Sequence, residues 1–222
     1  GFGLYFRLMQ RTNCYGARSI VVTSASSKVA LAMALFLKQY DDDKKFEGIK
    51  IVGYTSPSNM EFCDKTGLYD TVLSYDDMLP KSSYVMIDIA GRGDIYTKNV
   101  KNNDVDIVKL LVVGNSSNTS DKGGTFSTFS YYATLKLLLG MMGLPSWSHS
   151  WMPQPTQELY LIFDDMAAMK NEWGNEKLIQ QNQQASFDFC KFAKKWMSVQ
   201  EVMTEDEVKR AYVDIMGGSV PP

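Results

Sequence analysis

The stretch Arg18-Ser19-Ile20-Val21-Val22-Thr23-Ser24-Ala25-Ser26-Ser27-Lys28, followed by an apolar run from Val29 to Leu37, decides the reading of the fold. Ser19 to Thr23 is short, β-branched and uncharged, which suits a strand buried on both faces, as a parallel sheet requires. A turn of small polar residues follows. The run from Val29 to Leu37 carries alanines at intervals and reads as a helix packed closely on that sheet. A strand that stops at a helix N-terminus brings free N–H groups and the helix dipole to one point, where a pyrophosphate can bind. Glycines usually let the backbone approach the phosphate. Here Ser24, Ser27 and Ala30 stand in those positions, all small and none of them glycine. The hydroxyls of Ser24, Ser26 and Ser27 can donate to phosphate, and Lys28 adds a positive charge. The same serines would also serve as helix caps. The series of strands that follows favours the nucleotide site.

Outward from this turn, Asp41 to Lys45 reads as a charged solvent loop and Ile49 to Thr55 as a second strand. A short helix is expected around Met60 to Thr66, and a third strand at Thr71 to Tyr75. A fourth strand runs from Tyr84 to Ala90, ending at Gly91. After a polar stretch, Val108 to Val113 is a fifth strand, ending at Gly114. Alternating strands and helices imply parallel βαβ units. The expected class is therefore α/β, a Rossmann-like doubly wound parallel sheet with a helical C-terminal extension. Residues 1–17 read as a lead-in helix or linker, residues 18–222 as the Rossmann-type domain, and 120–156 as an insertion.

The second half differs in character. Asn115 to Gly124 is a polar loop, and Phe126 to Leu144 is apolar with Lys136 as its one charge. A membrane span needs about 20 apolar residues, and the serines and threonines here argue against one. Leu159 to Phe163 reads as a strand. Helices are expected over Glu176 to Met197 and Thr204 to Met216, the latter opened by a capping box of Thr204 and Glu207 and closed at Gly217-Gly218.

The end of the second strand bears on the cofactor. An acidic residue there ordinarily receives the ribose 2′-hydroxyl of NAD. This chain has Thr55, Ser56 and Asn59, with no carboxylate before Glu61, so NADP is favoured over NAD. Gly91 and Gly114 would lie at the carboxyl edge of the sheet, where ligands bind in such folds, although glycines after strands are also common turn residues.

Bulk properties narrow the remaining classes. Across 222 residues, 23 basic against 25 acidic side chains leave a net charge of -2. Nucleic-acid binding favours a basic excess, so it is not expected to be the main business of the fold. Cys14, Cys63 and Cys190 are far apart and His149 is the single histidine. A zinc site needs three or four ligands, so no metal is expected. The odd cysteine count suggests reduced thiols and a cytoplasmic or organelle-matrix compartment. Gly1 to Gln10 does not read as a signal peptide, and the chain opens without methionine, as a piece of a longer protein would.

Several of these residues together carry a resemblance. Thr23 to Lys28, Gly67 to Asp70 followed by Tyr75 to Asp77, Asp88 to Gly91, Phe163, Asn171 to Gly174, Trp196 and the ending Tyr212 to Pro222 are similar to a family of unknown function. That family is related to the medium-chain dehydrogenase/reductases of the quinone-oxidoreductase type. The resemblance implies the Rossmann half of a zinc-independent reductase, in an architecture where a GroES-like barrel precedes it; no such barrel is present in this sequence. It further implies cofactor contacts at Ser24, Ser26, Ser27, Lys28, Thr55, Ser56, Asn59, Tyr75, Ala90, Gly91 and Gly114. The chain would then be an NADPH-dependent oxidoreductase, or would keep the cofactor site only in vestigial form.

Two other readings compete. Tyr132 and Lys136 form a Tyr-x-x-x-Lys with Ser116 and Ser117 upstream, similar to the short-chain dehydrogenases, where the lysine lowers the tyrosine pKa for acid–base work. Alternatively, the apolar stretch Phe126 to Leu144 packs as a helix into the protein's own core, or residues 126–151, with Trp147 and Trp151, form a surface for a protein partner or a second copy of the chain. The protein is then a non-catalytic, reductase-derived subunit. His149 is expected at the surface or an interface, and the pairs Asp76-Asp77 and Asp164-Asp165 as caps or solvated charges.

Overall fold

The computed structural model describes residues 1–40, 48–102, 104–113, 157–197, 201 and 203–216. The run quoted first forms β1 (Ser19–Val22), and every one of its residues is buried. Alternation explains why no polar face exists. Ile20 and Val22 pack into one core and Val21 into a second on the opposite face of the sheet. β1 pairs in parallel with β2 (Lys50–Thr55) on one side and β4 (Ser82–Asp88) on the other, so that Val21 stands opposite both Val52 and Met86. With β3 (Thr71–Ser74), β5 (Val105–Val112) and β6 (Gln157–Leu159), the six strands among the described residues take the order β3-β2-β1-β4-β5-β6, all parallel. This is the doubly wound Rossmann order, with its switch point between β1 and β4.

α1 (Phe2–Phe6) and α2 (Lys28–Gln39) cover one face. The alanines Ala30, Ala32 and Ala34 in α2 are buried, which lets the helix lie close to β1 and β2. α1 is buried along its whole length, and Phe2 sets its ring edge-on against Phe36 and beside Trp173. The segment read as a lead-in is thus part of the main core. α3 (Met60–Lys65) follows β2, and α4 (Gly93–Val100) crosses from β4 to β5 on the other face, where Ile95 joins Tyr54, Tyr84 and Met86. α4 falls in what reads as a polar stretch. Gly93, Ile95 and Asn99 are its buried residues, too few to leave an apolar stripe in the sequence.

The C-terminal part is helical: α5 (Ile162–Trp173), α6 (Asn175–Ala193) and α7 (Glu205–Met216). The strand expected over Leu159 to Phe163 is corrected: pairing stops at Leu159 and a helix starts at Ile162. Asp164 and Asp165 occupy its first turn, where carboxylates favour a helix start. Phe163 consequently points to solvent, 72% exposed. The expectation that Asp164-Asp165 is a solvated or capping pair fails for Asp165. It is fully buried, and its Oδ1 accepts from Arg7 Nε and Arg11 Nη1, both at 2.7 Å. The capping box at α7 is present, with Glu207 N–H donating to Thr204 Oγ1 and Thr204 N–H to Glu207 Oε2. Among the described residues, no helix is long and apolar enough to cross a membrane.

Candidate functional site

Parallel strands deliver their following loops to one edge, and at a switch point two neighbouring loops diverge and leave a crevice. Here those loops are the β1–α2 turn and the β4–α4 turn, flanked by the residues after β2 and β3. Of the residues expected to contact a cofactor, Ser24, Ser26, Ser27, Lys28, Thr55, Ser56, Asn59, Tyr75, Ala90 and Gly91 all belong to these carboxyl-edge segments. Gly114 lies outside the described residues. So do Ser116, Ser117, Tyr132, Lys136, His149, and the 120–156 and 126–151 segments.

The turn after β1 is built without glycine. Ser24 holds φ at +51°, a left-handed conformation that favours glycine. Ser27 N–H donates to the Ser24 carbonyl at 2.8 Å, and Ala25 N–H to the Tyr54 carbonyl at 2.9 Å. The turn is pressed against β2 at Gly53, where a Cβ would stand 2.9 Å from Ala25 Cβ and 3.0 Å from the Tyr69 ring. Tyr69 in turn donates its hydroxyl to the Ala25 carbonyl at 2.6 Å. Ser27 is the N-cap of α2, its Oγ accepting from Ala30 N–H at 3.3 Å. The capping role therefore belongs to Ser27. Within the described residues, the N–H groups of Ser26, Lys28 and Val29 have no hydrogen-bond partner. Lys28 is exposed at the first helical position, where its charge opposes the helix dipole.

Three further cross-links join this turn to its neighbours. Asn59 Nδ2 donates to Ser26 Oγ at 3.3 Å, tying the end of β2 to the turn. Ser24 N–H donates to the Tyr75 hydroxyl at 3.1 Å, tying in the end of β3. The third link is buried: Thr23 Oγ1 donates to Asp88 Oδ1 at 2.7 Å and accepts from Ile89 N–H and Ala90 N–H at 2.9 and 3.0 Å. Asp88 Oδ1 also accepts from Arg92 N–H. Burial pushes the Asp88 carboxyl above its ordinary range, against the pull of the Thr23 hydroxyl; its Oδ2 is buried without a hydrogen-bond partner. Thr55 is also buried, next to Cys63, whose thiol burial raises to about 11. Ser56 bonds with Ser58 at the surface.

Arg92 was not legible as a site residue. It follows Gly91, which has φ at +70°. Its guanidinium lies 4.8 Å from the Tyr75 ring centroid and donates two bonds to the Asp94 carboxylate, at 2.9 and 2.7 Å. That is a cation–π contact on a ring already tied to the turn. Thr23 and Asp88 were also missed as site-forming residues. Their link spans 65 residues, and no local spacing reports it. Asp77 acts as a turn residue, its carboxylate accepting from Ser74 N–H. Among the described residues, no group of His, Cys, Asp and Glu could hold a metal ion.

A family model described as "Protein of unknown function (DUF2855)" matches residues 1–221. No curated protein matches the chain. Among solved structures, CurA from Vibrio vulnificus in complex with NADPH is similar over 100% of this chain and 60% of its own, at 13% identity and a TM-score of 0.48. Malate dehydrogenase from Naegleria fowleri is similar over 46% of this chain and 40% of its own, at 18% identity and a TM-score of 0.26. The chain thus spans less than two thirds of the length of either protein.

Proposed function

The chain belongs to the DUF2855 family, and from that premise we propose that its carboxyl-edge crevice binds a nicotinamide dinucleotide, NADP(H) in preference to NAD(H), as part of an oxidoreductase-like protein. The observation that carries the proposal is the meeting of a glycine-free turn with a Rossmann switch point. Ser24 adopts the left-handed φ that a glycine supplies elsewhere, which supports reading the turn as a pyrophosphate loop. The N–H groups of Ser26, Lys28 and Val29, without a partner among the described residues, supply donors, and α2 supplies the positive end of a dipole. Lys28 is unfavourable at that helix end in isolation, and an anion there reverses the sign of its contribution.

The preference for NADP(H) follows from the residues after β2. Ser56 and Asn59 are partly exposed polar groups, and the first carboxylate, Glu61, is engaged by Lys65 at 2.5 Å. A 2′-phosphate placed near Ser56 therefore meets hydroxyl and amide groups rather than a carboxylate. When bound, such a cofactor supplies hydride chemistry, while the residues named here bind and orient it. The test is calorimetric titration with NADPH and NADH. NADPH should bind more tightly, and Ser56→Asp should weaken NADPH by about tenfold or more through like-charge contact while sparing NADH. Binding of neither nucleotide at millimolar concentration refutes the proposal.

A further inference from the structure

Tyr75 occupies an unusual place in this crevice. Its backbone is fixed at both ends: its N–H donates to the Thr55 carbonyl at 3.1 Å, and its carbonyl accepts from Lys98 Nζ at 2.9 Å. Its ring stacks with Tyr54 at 6.4 Å between centroids and carries the Arg92 guanidinium. From this seat the hydroxyl oxygen accepts the Ser24 N–H. A donor at the head of a phosphate-type turn thus points at a neutral oxygen, with a guanidinium on the same ring. Neutral acceptors hold N–H groups less strongly than anionic ones do.

We propose that Tyr75 is a positioning and selectivity residue whose hydroxyl competes with a phosphate oxygen for the Ser24 N–H. This rests on the dinucleotide reading of the site. Ligand binding then exchanges the Ser24 N–H from the phenol to a phosphate oxygen. A ligand without phosphate offers no anionic acceptor and does not complete the exchange. The hydroxyl therefore lowers affinity for dinucleotides as a class and makes what remains depend on phosphate.

The sign of one substitution decides the matter. Tyr75→Phe keeps the ring and its stacking and deletes only the competing acceptor. In calorimetric titrations of the full chain, it should bind NADPH and ADP about three- to ten-fold more tightly than the unaltered protein, the equivalent of one net hydrogen bond. Adenosine should show no gain. If Tyr75 were a direct ligand, the same change would loosen NADPH, and that result, or no change, overturns the inference while leaving the dinucleotide reading intact. Absence of binding in both proteins removes both. A second measurement needs no variant: titration of the unaltered protein with inorganic pyrophosphate, followed by amide and aromatic NMR. The Ser24 amide and Tyr75 ring resonances should shift together, and a Tyr75 ring that stays unchanged while Ser24 shifts overturns the inference.

Discussion

Replacing Thr23 by valine changes almost no volume, yet should be among the most damaging substitutions in the chain. Thr23 is fully buried, and its hydroxyl serves Asp88 as a donor and Ala90 N–H as an acceptor. Losing the bond to a carboxyl group costs about 1.5–3 kcal/mol, and leaving the buried Ala90 N–H without that acceptor adds about 1–3 kcal/mol. Because the two share one hydroxyl, the sum is taken as about 3–5 kcal/mol, a large part of the roughly 5–15 kcal/mol that holds a domain folded. Urea unfolding should show this as a lower midpoint at constant slope, and thermal unfolding as a fall of about 10 °C. Asp88→Asn is the companion. Burial raises the Asp88 carboxyl in the folded state, so the fold binds that proton more tightly than the unfolded chain does. Stability from this group is therefore full below its unfolded value of about 4 and declines as pH rises through the raised folded value. Asp88→Asn should remove that decline, visible as a pH-dependent difference between the two proteins. A Thr23→Val loss under about 1 kcal/mol would refute the view that this hydroxyl joins the two loops.

Other substitutions test other parts of the structure. Asp165→Leu leaves the buried Arg7 with Glu158 as its one carboxylate partner among the described residues and should cost about 3–5 kcal/mol in urea unfolding, whereas a solvated Asp165 would cost nearly nothing. Gly53→Ala drives a methyl into Ala25 and Tyr69; about 1–3 kcal/mol of stability should be lost and NADPH binding weakened with it, and a neutral result would mean the β1–α2 turn is not pressed on β2. Cys190 is exposed while Cys14 and Cys63 are buried, so a thiol reagent should label one cysteine rapidly and two only on unfolding. Burial raises Cys14 to about 12 and Cys63 to about 11. Their stabilising effect should therefore be full below the unfolded thiol value of about 8.5 and be lost as pH rises through those values, as alkaline urea titrations will show.

Local chemistry made the sheet legible in the sequence. Ser19 to Thr23 has no polar face because both faces of β1 are covered, and the small residues after it could only be a turn into α2. Ser27 as a cap and the Thr204–Glu207 box follow from contacts three residues apart, within reach of any local reading. The placing of ten expected site residues in carboxyl-edge segments follows in turn from the strand order. Tertiary structure alone decided what those residues do. Asp165 looks like half of a solvated pair until Arg7, 158 positions earlier, is folded onto it. Phe2 to Phe6 looks like a lead-in until α2 and Trp173 close around it. The Thr23–Asp88 link and the Tyr75 hydroxyl on Ser24 join positions 65 and 51 residues apart. Local sequence was enough for β1 to β5, α2 and α7, because hydrophobic period and capping act over a few residues, but not for α4 or for the helix that starts at Ile162. Which side chain completes a turn, and which buried charge finds a partner, depends on elements brought together only when the sheet closes.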